Sequence, residues 1–368
     1  GFDGDIGEII IFKTRIDSAK RYIIENYLSS KYNVSLTTKD LYAGDTPANG
    51  DMDLGVVGIG NESGGTQVIS RSDYGLTLDG GTMSTFASGD YILAGTNNVN
   101  TSYNQYFNCD IVNASGLNTR WERVFYLDVT KSSGTLTISL TFDFRTAPQA
   151  GTYSLIYRTS DTPGSTWTVA SAAGSVSGNT VVFSGINFTS ASDGFYTVAY
   201  TVASASSTFG SPGGVSSGLG LWLKADAGVN GISNARFWND YSGNCMYGLG
   251  TNSPVLTINA SNYNPGIQLN GSGNSNTAST ISSYFSLPSG FSSFSGAASF
   301  VAASPTVTRN NARFFDFANG SANNNIYFAR SARTTQLLYE VYNASTGTQK
   351  TASAGSLDNS SIQLFSSN

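Results

Sequence analysis

Twenty-four carboxylates and no histidine bound the chemistry open to this chain. Without imidazole there is no Ser-His-Asp or Cys-His nucleophile, no His-rich zinc site and no ordinary general base near neutral pH. Glycoside hydrolysis would need two facing carboxyl groups about 5–9.5 Å apart. The five glutamates, at 8, 25, 62, 122 and 340, include no E-x-D-x-x-E arrangement, so no catalytic residue is expected. Asp3 and Asp5, with Glu8 close by, form the tightest acidic group. Joined by Asp226 or Asp240 and carbonyl oxygens they would suit Ca²⁺, which takes about 6–8 oxygen ligands. The D-x-D-x-D-G spacing is absent, and solvated turn carboxylates are the plainer reading. No other cofactor is called for.

Flat aromatic faces are the second resource. Trp121, Trp167, Trp222 and Trp238 could stack on sugar rings, but a Trp inside an alternating strand belongs to a core. Tyr74, Tyr91, Tyr103 and Tyr106 stand in loop-like polar surroundings and are the candidates for a glycan-binding surface. The glycine-rich GIGNESGG and SPGGVSSG open no helix with a trailing Lys-Ser/Thr and read as turns, not phosphate cradles. Asp17-Ser18-Ala19 matches a short O-glycosylation pattern, yet helix capping already accounts for it. Cys109 and Cys245 read as free buried thiols rather than a disulfide.

The elements that would position these groups are β-strands. Only 12% of the 368 residues are charged, the net charge is −5, and Tyr and Phe number 20 and 21. Such a composition suits a neutral-to-acidic extracellular β protein, and with no Lys/Arg stripe it predicts no nucleic-acid partner. No run of eighteen apolar residues occurs, so no membrane span is expected, and any targeting signal would lie outside this sequence.

A Gly/Ser-rich linker is expected at 203–216. Between residues 36 and 202 the runs VVGIG, YILAG, RVFYLDV, TLTISLTFDF, TYSLIYRT and FYTVAYTV alternate with period two and predict an antiparallel sandwich. A second β pattern runs over 217–368, from LGLWLKAD to SIQLF, and reads as a domain lacking its last strand. The first 33 residues look like that missing piece. Ile6, Ile9, Ile10, Ile11 and Phe12 make a continuous apolar strand suited to burial on both faces. A helix follows, capped by Asp17 or Ser18 and by Asn33, with Ile16, Ile23, Ile24, Tyr27 and Leu28 on one face. Joining Asn368 to Gly1 would create an Asn-Gly hairpin cue between two apolar runs.

The predicted fold is therefore all-β, two antiparallel sandwiches and one short helix. The orphan strand would be taken up by the next copy in a tandem repeat, by a neighbouring subunit, or by the same chain folding back. The first two give a head-to-tail polymer of identical copies and are favoured.

GDIGEIIIF with the helix ending NYLSSKYNVSL resembles the end of concanavalin A-like, laminin-G-like domains in large secreted proteins of Bacteroidota, and SPGGVSSGLGLWLKADAGV with FWNDYSGN resembles their start. DLGVVGIGNESGGTQVISRS, RWERVFYLDVT and DGFYTVAYT resemble the β-sandwich module that accompanies such domains. The resemblance implies a jelly roll beside an Ig-like Greek-key sandwich, a cell-surface adhesin or filament location, and type IX export. The function expected is a structural or adhesive repeat unit, the alternative a carbohydrate-binding module assisted by calcium.

Overall fold

The structure is a computed structural model. It describes residues 4–98, 106–107, 111, 117, 119–148, 150–162, 165–201, 211–231, 234–244, 246–270, 283–288, 298–305, 312–317, 325–331, 334–343, 348–354, 357 and 361–367. Two units result, residues 1–249 and 250–368.

Helix α1 (Ser18–Tyr32) starts where Asp17 accepts the Lys20 N–H at 3.0 Å. It ends where Asn33 takes the left-handed conformation, φ 51°, and its N–H returns to the Ser29 carbonyl. Both ends follow the expected capping chemistry. Buried Asn26 then ties down the following loop, donating to the Lys39 carbonyl and accepting the Leu41 N–H.

Thirteen described strands precede the linker: β1 (Leu54–Glu62), β2 (Gly65–Gln67), β3 (Ile69–Arg71), β4 (Leu76–Asp79), β5 (Tyr91–Thr96), β6 (Tyr106–Phe107), β7 (Thr119–Trp121), β8 (Phe125–Thr130), β9 (Leu136–Asp143), β10 (Tyr153–Arg158), β11 (Thr168–Ser177), β12 (Thr180–Phe188) and β13 (Gly194–Tyr200). They form one antiparallel sheet, in the order β2-β1-β5-β8-β13-β10-β11-β12-β9-β4-β3, with β7 on β13 and β6 on β7. The sheet curls into a nearly closed barrel. Its ends are fastened by hydroxyls: Ser70 Oγ donates to the Gly58 carbonyl, and Ser72 Oγ to the Gly55 carbonyl at 2.7 Å.

Two apolar layers explain the pattern of the strands. Inside the barrel, Trp121, Phe125, Phe142, Phe144, Phe183 and their neighbours pack edge to face or tilted. Outside it, Ala19, Ile23, Tyr42, Tyr91, Leu93, Tyr126 and Trp167 make a second layer under α1 and the 41–52 loop. β5 and β13 lie between the layers and are buried along their whole length, whereas β9 alternates buried and half-buried.

Helix α1 packs on β1, where Gly58 leaves room for Ile23: a Cβ there would stand 3.2 Å from the Ile23 side chain. The first unit extends past the linker. β14 (Val229–Asn230), β15 (Phe237–Trp238) and β16 (Gly248–Thr251) follow the linker, and the unit boundary falls after Leu249.

The second unit contains the hairpin β17 (Val255–Ser261) and β18 (Asn264–Gln268), turned by Asn262 and Tyr263 with positive φ at both positions. β19 (Tyr284–Ser286) and β20 (Ser299–Ala303) come next, then the meander β21 (Arg313–Phe317), β22 (Asn325–Arg330), β23 (Leu337–Asn343) and β24 (Thr348–Ala354). The last strand, β25 (Gln363–Ser367), pairs with β20 in a two-stranded antiparallel sheet. Phe328, Leu357 and Phe365 form its buried cluster, flanked by Val301, Phe314 and Phe315. Among the described residues no helix is long and apolar enough to cross a membrane.

Candidate functional site

Residues 6–12, expected as a strand buried on both faces, carry no strand pairing. Their side chains face solvent: Ile6 is 59% exposed, Ile9 70%, Ile10 41%, Ile11 84% and Phe12 51%. The segment is nevertheless anchored. Glu8 accepts from Lys31 Nζ at 2.9 Å and from the Tyr27 and Tyr32 hydroxyls at 3.2 Å. The bond from Lys31 holds the Glu8 carboxyl below its usual range, while Tyr27 and Glu8 hold the ammonium well above its own. Gly7 lies against the Tyr32 ring, 2.7 Å from where a Cβ would stand. With Glu8 and Gly7 held against α1, the four consecutive apolar residues that follow, Ile9 to Phe12, face solvent. Of the helix residues assigned to assembly, Ile23 is buried in the layer beneath α1, and Tyr27 packs against that layer. Ile16, Ile24 and Leu28 are half-buried, and Leu28 lines a groove with Gly7, Glu8, Tyr32 and Val34. Gly1 and Asn368, the expected junction, lie outside the described residues.

Of the candidate tyrosines, Tyr91 and Tyr74 have described side chains, and both are covered to some degree. Tyr91 is interior, because β5 is covered on both faces, and its hydroxyl donates to Glu62 at 3.0 Å. Tyr74 is half-buried against the barrel core under the Arg123 guanidinium, 5.2 Å from its ring centre. Tyr106 belongs to β6, opposite Trp121, and Tyr103 lies outside the described residues. Trp121 and Trp167 are buried, as a core reading requires, whereas Trp222 is half-buried with its ring edge-on to Tyr241.

Among the described residues the acidic candidates stand in separate settings. Asp240 is buried and accepts the backbone N–H groups of Trp222, Ser242 and Met246, at 2.8, 2.8 and 3.2 Å, and the Ser242 hydroxyl. Its lone pairs organise a turn. Asp226 is exposed with Lys224 Nζ 3.8 Å away, Asp5 is exposed, and Asp3 lies outside the described residues. Among the described residues no group of three or more His, Cys, Asp or Glu side chains is placed to hold a metal ion. Cys109 and Cys245 are likewise outside the description.

A polar joint that sequence reasoning missed holds the 222–241 stretch on the barrel. Buried Glu122 accepts the Gly228 N–H at 2.9 Å and the Tyr241 hydroxyl. Buried Asp161 accepts Arg158 Nη2 at 2.8 Å and the Asn230 amide, whose oxygen accepts from Asn97. Arg236 reaches the Pro47 carbonyl at 3.2 Å. Arg158 and Arg120 lie 4.3 and 5.6 Å from the Trp167 ring centre. Burial raises the Asp161 carboxyl pKa, with Arg158 and Arg236 opposing, and burial followed by the Glu122 charge raises Tyr241 far above the usual phenol range. The available signal was RWER and R-T-S-D, charges set beside apolar strands in a charge-poor sequence.

The described residues define a protein mostly of antiparallel β-sheet with one α-helix, and they include an anchored apolar strip and an internal polar joint. No family model, curated protein or solved structure matches the chain.

Proposed function

We propose that the chain is a structural or adhesive repeat unit of an extracellular filament or large cell-surface protein. Consecutive units are joined head to tail through the segment Ile6–Phe12, taken up as a strand by the next copy, whether that copy is a separate subunit or the following repeat. In the finer reading, the second unit is a concanavalin A-like jelly roll that lacks a strand, and the barrel is the accompanying sandwich-type module.

The observation that supports this is the exposed strip itself. Leaving a large apolar side chain in water forfeits about 1.5–3 kcal/mol relative to burial. Four such side chains in succession, held in place by Glu8 and Gly7, are costly for a surface whose task is to stay wet. Extended segments of this kind bind by adding to a sheet edge, where backbone hydrogen bonds supply affinity and alternate side chains supply fit. The carbohydrate-binding alternative loses Tyr91 to the interior and has Tyr74 packed against the core.

Sedimentation of the full chain over a hundredfold range of concentration tests the reading. The expected result is concentration-dependent growth beyond 38.7 kDa, abolished by Ile9→Lys/Ile11→Lys with the barrel's melting transition retained. A chain that stays monomeric at every concentration contradicts it.

A further inference from the structure

Accepting the donor role of residues 6–12, on which this inference rests, we propose that their acceptor in the next copy is the open edge of β11, on the barrel and not in the second unit. β11 pairs with β10 over residues 168–174 and with β12 only over 175–177, so the two strands of the β11-β12 hairpin part company away from its turn. Among the described residues nothing pairs with 168–174 on the side away from β10; the one further bond there is local, from the Ala173 N–H to the Ser171 hydroxyl at 3.4 Å. No side chain covers the strand either. Every residue of β11 is exposed or half-buried, whereas its neighbour β10 is buried at five of six positions.

The chemistry of the two segments corresponds. Residues 168–177 contain no charge and no proline, the devices that keep an edge strand from templating another. The strip 9–12 is also uncharged, so the pairing strips no ion of its water. Ala170, Ser171, Ala172 and Ala173 are small, which leaves space beside the β11 backbone for the larger Ile and Phe side chains of an added strand. β11 also carries extra residues relative to β10, between Val169 and Ser171 and between Ser171 and Gly174. Such bulges interrupt regular pairing and restrict the edge to a short partner. The strip beyond the Gly7 and Glu8 anchors is short, four apolar residues.

The sheet order decides between the same copy and the next. The strip is tied to α1, and α1 packs on β1 and β2. From β1 to β11 the path crosses β5, β8, β13 and β10 in one direction; across the serine-fastened seam it crosses β3, β4, β9 and β12 in the other. β11 therefore stands halfway round the barrel from the strip. Five strand spacings are about 24 Å along the wall at about 4.8 Å each. The four residues after Glu8 reach about 14 Å when fully extended, so the strip cannot lie on its own β11 while its anchors hold. Donor and acceptor on opposite sides of one barrel make a heterologous contact, which repeats head to tail without closing.

The test places a photoreactive benzoylphenylalanine at Ile9 in the full chain and irradiates a mixture of isotopically heavy and light protein. Mixed heavy-light crosslinks to the peptide holding residues 168–177 are expected. The double variant Ala170→Lys/Ala172→Lys, at two exposed positions, should reduce them at least tenfold while the barrel's melting transition is retained. Crosslinks between copies that fall within 250–368, or on another face of the barrel, overturn the β11 assignment and leave the donor role of residues 6–12 standing. So does a yield that the double variant leaves unchanged, or one that a label at the exposed Tyr263 equals. No crosslink between copies, in a chain that sediments as a monomer at every concentration, overturns both.

Discussion

Replacing Tyr241 by Phe removes one hydroxyl from the joint between the 222–241 stretch and the barrel and leaves the shape of the joint intact. The ring keeps its edge contact with Trp222, 6.3 Å between centres, and the Lys224 ammonium stays 5.2 Å from the ring centre. What disappears is the hydrogen bond to buried Glu122, which still accepts the Gly228 N–H. A hydrogen bond to a charged acceptor contributes about 1.5–3 kcal/mol. If the stretch opens locally without unfolding the barrel, that loss raises its opening constant roughly 10- to 150-fold. Hydrogen exchange followed by mass spectrometry reads this directly. The amides of Gly228, Arg236, Asn239 and Tyr241, bonded to Glu122, Asn230, Gly228 and Trp222 respectively, should exchange faster by that factor. Amides in β5 and β13 should not change. Unaltered protection over 228–241 would show that Glu122 does not hold the stretch; uniform acceleration across the barrel would show that the joint is not a separable unit.

Burial, opposed by a backbone hydrogen bond and aided by the nearby Asp51 and Asp45 charges, pushes the Asp53 carboxyl up to about 6, and among the described residues its buried Oδ1 has no hydrogen-bond partner. A carboxyl with a raised folded-state pKa favours folding below its unfolded value near 3.9, and that contribution is lost as pH rises through about 6. Asp53→Asn should therefore stabilise the chain by about 1–2 kcal/mol at pH 7.5 and by nearly nothing at pH 4, as thermal melts at both pH values would show. Asp17→Ala removes the N-cap of α1 and should cost about 0.5–2 kcal/mol in urea unfolding, with Asp17→Ser recovering most of it.

How much of this was legible depended on which side of a strand was covered. TLTISLTFDF alternates in sequence and β9 alternates in burial, so the period gave both the element and its inward face. YILAG misled because β5 is sandwiched between the barrel core and the layer under α1, which erased the distinction between faces and put Tyr91 inside. Asp17 and Asn33 bounded the helix correctly, since capping is local chemistry. The surface that the helix would choose was not local. Gly58, which makes room for Ile23, reads in sequence as one more turn-like glycine. The joint built on Glu122 and Asp161 was invisible for a similar reason: its partners stand 106 and 69 positions away. Nothing in a single sequence pairs a carboxylate with an amide at that distance.

The serine fasteners of the barrel have one more implication. Once Ser70 and Ser72 draw the two ends of the curled sheet together, the strands left at the rim, β2 and β3, are three residues long, too short to template a foreign strand. Lateral spreading of one sheet into the next is thereby discouraged at this end of the molecule. Replacing both hydroxyls with alanine methyls would leave the Gly58 and Gly55 carbonyls without those donors and loosen the seam where the two rims of the curled sheet meet.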